Sequence, residues 1–428
     1  MKCKVEKGKT LLVDGPASVN HIGGEVNILG AKLGKGEKVV IREGKRVPFM
    51  VMKKATFDLA LGEDAAFEEV EGSTIPRSWE EALKDIKASG KPSSVMVMGE
   101  VDAGKTSFCT YLLNRALSMR WKTAIIDADL GQSDVGPPTT IGFSRVSEPI
   151  KDLFEIEAEK AYFVGLTSPS PVTNRVVDGL VELKGSAEGA DVDFLVINTD
   201  GWISGEEAVS YKVGLTEKLM PDVVVGIQET DELAPILTAL EETKTLAIES
   251  PPEIKKRSRE KRKILRELAY KKYLKKAKVR SFPLSWVELE RIPMGTGTIP
   301  HAERMETIKE MLGTIPVYCE ETPTTLFIVL RRNSWIDGER IREVEDRVGK
   351  WVSVIRDGEE EGLLVGLHDD KGAFLGIGIL VGVDYRRRAM KIHTPIGEKV
   401  STICVGQVRL DKSGREIGLS SIFTEHLS

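Results

Sequence analysis

Eight residues in this chain have the types and spacing that hold a phosphate. Gly99-Glu100-Val101-Asp102-Ala103-Gly104-Lys105-Thr106 fits G-x-x-x-x-G-K-[ST], and Ser107 follows it. Glycines let a backbone wrap around an anion, and N–H groups at a helix N-terminus point at it. Lys105 is placed to reach the β- and γ-phosphates of a nucleotide, and the Thr106 hydroxyl to bind Mg²⁺. Two further stretches carry carboxylates and hydroxyls. Ile125-Ile126-Asp127-Ala128-Asp129 runs into Leu130-Gly131-Gln132-Ser133. Either aspartate would hold a metal or an attacking group if it ends a strand beside the loop. Ser168 follows an apolar run in Phe163-Val164-Gly165-Leu166-Thr167, where it is placed either to touch a phosphate or substrate strand or to cap the next helix. Asn198-Thr199-Asp200-Gly201-Trp202 is a third polar strand end, followed by a tryptophan. A tryptophan at a ligand rim can stack on a base, although its spacing alone reads as packing.

These residues need a sheet to position them. Residues 95–98 read as a buried strand before the loop, and 107–117 as a helix after it, with Phe108, Leu112 and Leu113 on one side. Further strands are expected at 123–127, 161–165, 194–198, 223–227 and 245–248, and helices at 76–89, 174–184 and 206–219. Apolar strands alternating with helices predict an α/β fold with a parallel sheet, whose ligands collect at the strands' carboxyl ends. Residues 1–75 predict a small β-domain with strands at 39–42, 47–52 and 57–61, and nothing catalytic stands out in it. Residues 311–428 predict a β-rich domain, which leaves 76–310 for the phosphate-binding domain.

Charge adds one more element. The net charge is −5, so no global basic field marks a nucleic-acid binder. Residues 254–280 nevertheless hold 14 Lys/Arg against two Glu, a local excess of +12. Apolar residues at 264, 265, 268, 270 and 274 give that segment helical periodicity. Arg257, Arg259, Arg262 and Arg266 follow Pro251-Pro252, as in a separate helical lid. Arginines there would neutralise charge on a transferring phosphoryl group, and lysines would hold a polynucleotide backbone.

Other properties exclude classes. Four scattered cysteines form neither a CxxC site nor a disulfide framework. No apolar run of membrane-spanning length occurs and the N-terminus is too polar for a secretion signal, so a cytoplasmic protein is expected. Three Gln and six Asn in 428 residues fit a hot habitat, where labile amides are avoided. No N/T-K-x-D tetrapeptide follows the strands at 194–198 or 223–227, which counts against GTP.

Taken together, GEVDAGKTS (99–107), DADLGQSDVG (127–136), GLTSPSP (165–171), NTDGW (198–202) and RSREKR (257–262) resemble a known set. The chain is similar to the polynucleotide 5′-hydroxyl kinases related to the RNA kinase subunit of the eukaryotic pre-mRNA cleavage complex and to the ribosomal-RNA-processing kinase. That resemblance covers nearly the whole chain, including the three-part layout. It implies transfer of the ATP γ-phosphate to the 5′-OH of RNA or DNA, with Mg²⁺ as the metal, and RNA-processing partners. Gly99, Asp102, Ala103, Gly104, Lys105, Thr106 and Ser107 would bind ATP, with Gln132 near the phosphates or metal. Thr106 and Asp129 would serve the metal. Asp129 would orient or deprotonate the 5′-hydroxyl, with Asp127 ranked below it. Ser168, Thr199 and Gly201 would hold substrate, Trp202 would stack on the terminal base, and Arg257 and Arg262 would be the lid arginines. Two other classes stand beside it: a nucleotide-switch ATPase or GTPase, and a structural subunit of an RNA-processing complex with a vestigial site. The intact Lys105, Thr106 and Asp129 argue against the last.

Overall fold

A computed structural model describes residues 1–88, 94–420 and 422. The chain divides into two compact units, Met1–Arg266 and Glu267–Ser428.

The first unit begins with a seven-stranded antiparallel sheet built on two long paired strands, Ala17–Ile28 and Arg46–Leu61. Alternation puts Val47, Phe49, Val51, Ala55, Phe57 and Leu59 inside. The expected strands at 47–52 and 57–61 are thus one strand of 16 residues. Alternation lapses through exposed Met52, Lys53 and Lys54, opposite bulges between His21 and Val26, and that polar interruption reads as a break in the sequence.

The second sheet of this unit carries the phosphate loop. Its order is Lys160–Phe163, Thr140–Val146, Thr123–Asp127, Phe194–Asn198, Ser94–Gly99, Val223–Gln228, Thr245–Glu249. The last five are parallel to one another. Thr140–Val146 runs against its neighbours on both sides. That strand was not expected: its Gly142 and Ser144 interrupt the apolar run. The five parallel strands end on one rim, so side chains distant in sequence converge there.

Helices cover both faces. Lys105–Ser118 packs Phe108, Leu112 and Leu113 with Val95, Val97, Ile125 and Val196. Arg77–Ala88 closes the same face with Trp79, Leu83 and Ile86, and the Trp79 ring stands edge-on to Phe108 at 5.0 Å. The sequence places this helix at 76–89; its Ser89 end lies outside the described residues. On the other face Thr173–Glu188 and Glu206–Leu219 bury Val176, Leu180, Leu183 and Leu215 over Met96, Ile126 and Ile197.

The basic segment forms a helix over Arg259–Tyr273, which crosses the division between the units. Its buried residues are Leu265, Ala269, Tyr270 and Leu274, whereas Ile264 and Leu268 are exposed. The face is therefore shifted from the apolar spacing of the sequence. The end of the charge run lies in a strand, Lys278–Pro283.

The second unit holds a seven-stranded sheet whose core includes Leu363, Val365, Leu380, Met390, Ile392 and Ile403. A separate three-stranded sheet, Tyr318–Glu321, Thr325–Leu330 and Trp351–Arg356, packs with helices Ala302–Leu312 and Gly338–Val348. Among the described residues no helix is long and apolar enough to cross a membrane.

Phe108 bears directly on the sheet that carries the site. It is fully buried. Phe108→Ala should cost about 3–5 kcal/mol in a denaturant titration. A cost below about 1 kcal/mol would show that this face of the sheet is not close-packed.

Candidate active site

The loop between Ser94–Gly99 and Lys105–Ser118 turns because two of its residues take left-handed backbone angles, Asp102 at φ +62° and Gly104 at φ +103°. At Gly104 a Cβ would also lie 3.1 Å from Pro251 Cδ and 3.2 Å from Ile254 Cδ1, so a side chain there is strained and crowded. No side chain caps the helix that starts here. The N–H groups of its first turn have no intrahelical partner, and Gly104, Lys105, Thr106 and Ser107 line a cavity. Lys105 is 5% exposed, and its Nζ donates to Gly99 O at 2.9 Å and Glu100 O at 2.8 Å. Burial pushes this ammonium below its ordinary value, while the charge of Asp129 acts the other way.

The aspartates at the end of Thr123–Asp127 and two residues beyond it do different work. Asp127 is wholly buried. Its carboxylate accepts from the N–H of Asp134 at 2.7 Å and of Val135 at 3.2 Å, and from Asn198 Nδ2 at 2.9 Å. Burial, with the nearby Asp134 and Asp129 carboxylates, pushes Asp127 up to about 7. It shapes the turn that presents Asp129. Asp129 faces the cavity with Lys105, Thr106 and Gln132. It accepts from the Gln132 N–H at 3.0 Å. Burial raises its carboxyl above the usual range, against the pull of Lys105. Gln132 reaches the lid, with Nε2 donating to Arg262 O at 3.3 Å.

Arg257 and Arg262 both bond to the loop through Asp102. Arg257 Nε donates to Asp102 Oδ1 at 2.7 Å, and Arg262 Nη1 donates to Asp102 Oδ2 at 3.3 Å. Asp102, expected to serve the nucleotide, thus turns its carboxylate toward the lid.

Asp102, Gly104, Lys105, Thr106, Ser107, Asp129, Gln132 and Arg257 therefore share one cavity. Gly99, Ala103, Ser168, Thr199, Gly201, Trp202 and Arg262 are not in its lining. Gly99 ends the strand and Ala103 is buried in the loop. Thr199 is fully buried, and its hydroxyl donates to Val97 O at 2.9 Å. That hydroxyl ties two strand ends together, because it is already spent and out of reach of solvent. At Gly201 a Cβ would lie 2.7 Å from Val101 N, so only glycine lets this turn abut the phosphate loop. Trp202 is half-buried and stacks on Tyr211 with centroids 5.6 Å apart. Ser168 is exposed on its turn.

Several residues at the site were not foreseen. Lys45, Arg46, Val47 and Pro48 from the N-terminal sheet line the cavity, with Leu12 and Ile254. Lys45 and Arg42 pair with Asp134 at 2.8 and 2.9 Å, and Arg42 with Asp152 at 2.8 Å. Burial alone would raise Asp152, but the charges of Lys45 and Arg42 hold it at about 2. The run Glu43-Gly44-Lys45-Arg46 is a basic turn between strands, which is a weak signal by itself. Lys212 is fully buried and pairs with Asp200 at 2.9 Å, which also accepts from Tyr211 OH at 3.0 Å.

Asp127 tests how much of this is scaffold. Asp127→Ala leaves the N–H groups of Asp134, Val135 and Asn198 without their acceptor. It should cost at least about 1–3 kcal/mol in equilibrium unfolding. Unchanged stability would remove its role as the anchor of the turn.

The mRNA cleavage and polyadenylation factor CLP1 P-loop family model matches residues 99–276. A polyribonucleotide 5′-hydroxyl-kinase of Pyrococcus furiosus is 30% identical over 348 residues, covering 81% of this chain and 95% of the relative. One of Methanocaldococcus jannaschii is 30% identical over 354 residues, covering 81% and 94%. A solved structure, that of wild-type Clp1p in complex with Pcf11p (454–563), superposes with a TM-score of 0.66 at 12% identity, covering 96% of this chain and 97% of that one. That likeness is one of fold. With a phosphate loop, an acidic turn and Arg257 on one cavity, and with these relatives matched over nearly their full length, the chain belongs to the CLP1 P-loop family of polyribonucleotide 5′-hydroxyl-kinases.

Proposed function

We propose that this protein transfers the γ-phosphate of ATP to the 5′-hydroxyl of RNA. One observation carries the reading: the phosphate loop, a carboxylate and a lid arginine face one cavity. A switch ATPase needs no group to activate an alcohol. Here Asp129 lies beside the loop with a carboxyl raised by burial, which suits a general base. The polyribonucleotide 5′-hydroxyl-kinases of Pyrococcus furiosus and Methanocaldococcus jannaschii, each 30% identical to this chain, support the same reaction.

The triphosphate lies along the loop, against the N–H groups of the first helical turn. Lys105 exchanges its bonds to Gly99 O and Glu100 O for phosphate oxygens. The apolar wall of Leu12, Val47, Pro48 and Ile254 takes the nucleoside. The donor set suits a hard divalent cation, for which Mg²⁺ is our choice. Thr106 and Asp129 would hold it together with ATP oxygens. Bound there, it would neutralise charge between the β- and γ-phosphates. Among the described residues no group of three or more His, Cys, Asp or Glu could hold a metal by itself, which fits an ion that arrives with the nucleotide.

Asp129 orients the 5′-hydroxyl and takes its proton as the oxygen attacks the γ-phosphorus, the bond from that phosphorus to the β–γ bridging oxygen breaks, and ADP leaves with the electron pair. Arg257 and Arg262 stabilise charge on the transferring group, and Gln132 links Asp129 to the lid. The exposed part of Trp202 offers a stacking face for the terminal base, and Gly201 and Ser168 flank the path of the substrate backbone. Thr199 contributes by holding the strand end. Three parts follow: residues 1–75 as a nucleoside-contacting β-domain, 76–310 as the kinase part with its lid, from which the strand Lys278–Pro283 already pairs into the sheet of the second unit, and 311–428 as a β-rich domain.

Two variants test this with labelled ATP and a 5′-OH oligoribonucleotide, with a DNA oligonucleotide of the same sequence alongside. Lys105→Ala should fold normally and lose at least about 10²–10³ in kcat. Near-normal turnover would sink the assignment. Asp129→Asn should lower kcat by roughly 10²–10⁴ while ATP still binds. In the parent, activity should fall on the acid side as Asp129 takes up a proton. A collapse of ATP affinity with kcat unchanged in Asp129→Asn would place this carboxylate on the nucleotide alone.

A further inference from the structure

Position 102 sits at φ +62°, a conformation in which glycine meets least resistance. A loop that served phosphate only through its backbone would be content with glycine there. The chain instead has an aspartate, and its side chain is 3% exposed. The carboxylate accepts from the backbone N–H of Arg257 at 2.9 Å, from Arg257 Nε at 2.7 Å and from Arg262 Nη1 at 3.3 Å, and it pairs with Arg257 Nη2 at 2.5 Å. Arg262 Nη1 also donates to Arg257 O at 2.7 Å. One carboxylate therefore fixes the peptide just before the lid helix and the planes of both guanidinium groups. Ser250 Oγ adds a bond to Ala103 O at 3.0 Å at the root of the same segment.

We propose that Asp102 is a positioning residue that ties the lid to the phosphate loop and sets the register of Arg257 and Arg262 before ATP arrives. This rests on the kinase reading above. Each guanidinium has five N–H donors. The contacts named use at most two from each, so at least three remain for phosphate oxygens. The arginines are held in place without being consumed. Asp102 touches neither nucleotide nor substrate in this role. It turns two long, flexible cations on a basic helix into a preorganised pair, and it ties their position to the loop that holds the phosphates.

The test uses the full chain with Asp102→Gly, which keeps the left-handed backbone and removes the carboxylate. Its kcat should fall roughly ten- to hundredfold, because displaced lid arginines lose alignment. The KM for ATP should stay within about threefold, since the backbone cradle is intact. Asp102→Asn, which tolerates the same backbone and keeps one acceptor, should recover part of the loss. Adding Arg257→Ala to Asp102→Gly should lower kcat by much less than Arg257→Ala does in the parent. A second readout needs no catalysis: trypsin should cut nucleotide-free Asp102→Gly faster than the parent between residues 255 and 263. Unchanged kcat, a rise in KM alone, full additivity with Arg257→Ala, or unchanged cleavage would each overturn the proposal. Should the parent phosphorylate no RNA, the kinase reading fails by itself, and the cleavage rate still decides whether Asp102 anchors the lid.

Discussion

Parallel strands ending on one rim are the constraint on which the rest of this structure depends. Asn198 pairs with Val97 on one side and with Asp127 on the other. That register sets the phosphate loop, the acidic turn and the 198–202 turn side by side. Three bonds just beyond the ladder hold it: Ala128 N–H to Asn198 O, Thr199 Oγ1 to Val97 O, and Asn198 Nδ2 to Asp127. A slip of one residue would exchange the two faces of a strand. Asp127 would then point elsewhere, and the turn it shapes would no longer offer Asp129 to the cavity.

Electrostatics follows from that convergence. The rim gathers buried cations before any anion is present. Lys105 is satisfied by loop carbonyls and Lys212 by Asp200, while Asp102 holds Arg257 and Arg262. Lys45 and Arg42 from the N-terminal sheet are balanced by Asp134 and Asp152. Arg42 also lies over the Phe154 ring at 3.7 Å. An unpaired buried charge is costly, so each cation has a protein partner that a phosphate can relieve or leave in place. Lys105 is held by neutral carbonyls rather than by a carboxylate. The partnership between Lys212 and Asp200 lies deeper and serves the 198–202 turn.

What the sequence made legible was local. Loop, strand and helix at 94–118 are specified by adjacent residues, and their spacing alone named the chemistry. The order of apolar strands and helices was enough for a parallel sheet between flanking β-rich regions. The antiparallel Thr140–Val146 strand was hidden by the small residues within it. The strand Arg46–Leu61 read as two because its polar middle is exposed. Asp102 read as one more loop residue because its partner Arg257 is 155 positions away. Lys45, Arg46, Val47 and Pro48 went unread for the same reason: nothing in the sequence of a turn and the strand after it says which cavity they will wall. Thr199 went the other way. Its type suited a substrate contact, and only burial shows that its hydroxyl belongs to the sheet.

The central claim is that an alcohol, not water, receives the phosphate here. Purified protein, ATP labelled at the γ-position and a divalent cation can be mixed with one RNA sequence in two forms, 5′-OH and 5′-phosphate. The account predicts label on the 5′-OH RNA alone, all of it removable by a phosphatase. Release of labelled phosphate to water at the same rate with either RNA, or with none, would contradict it.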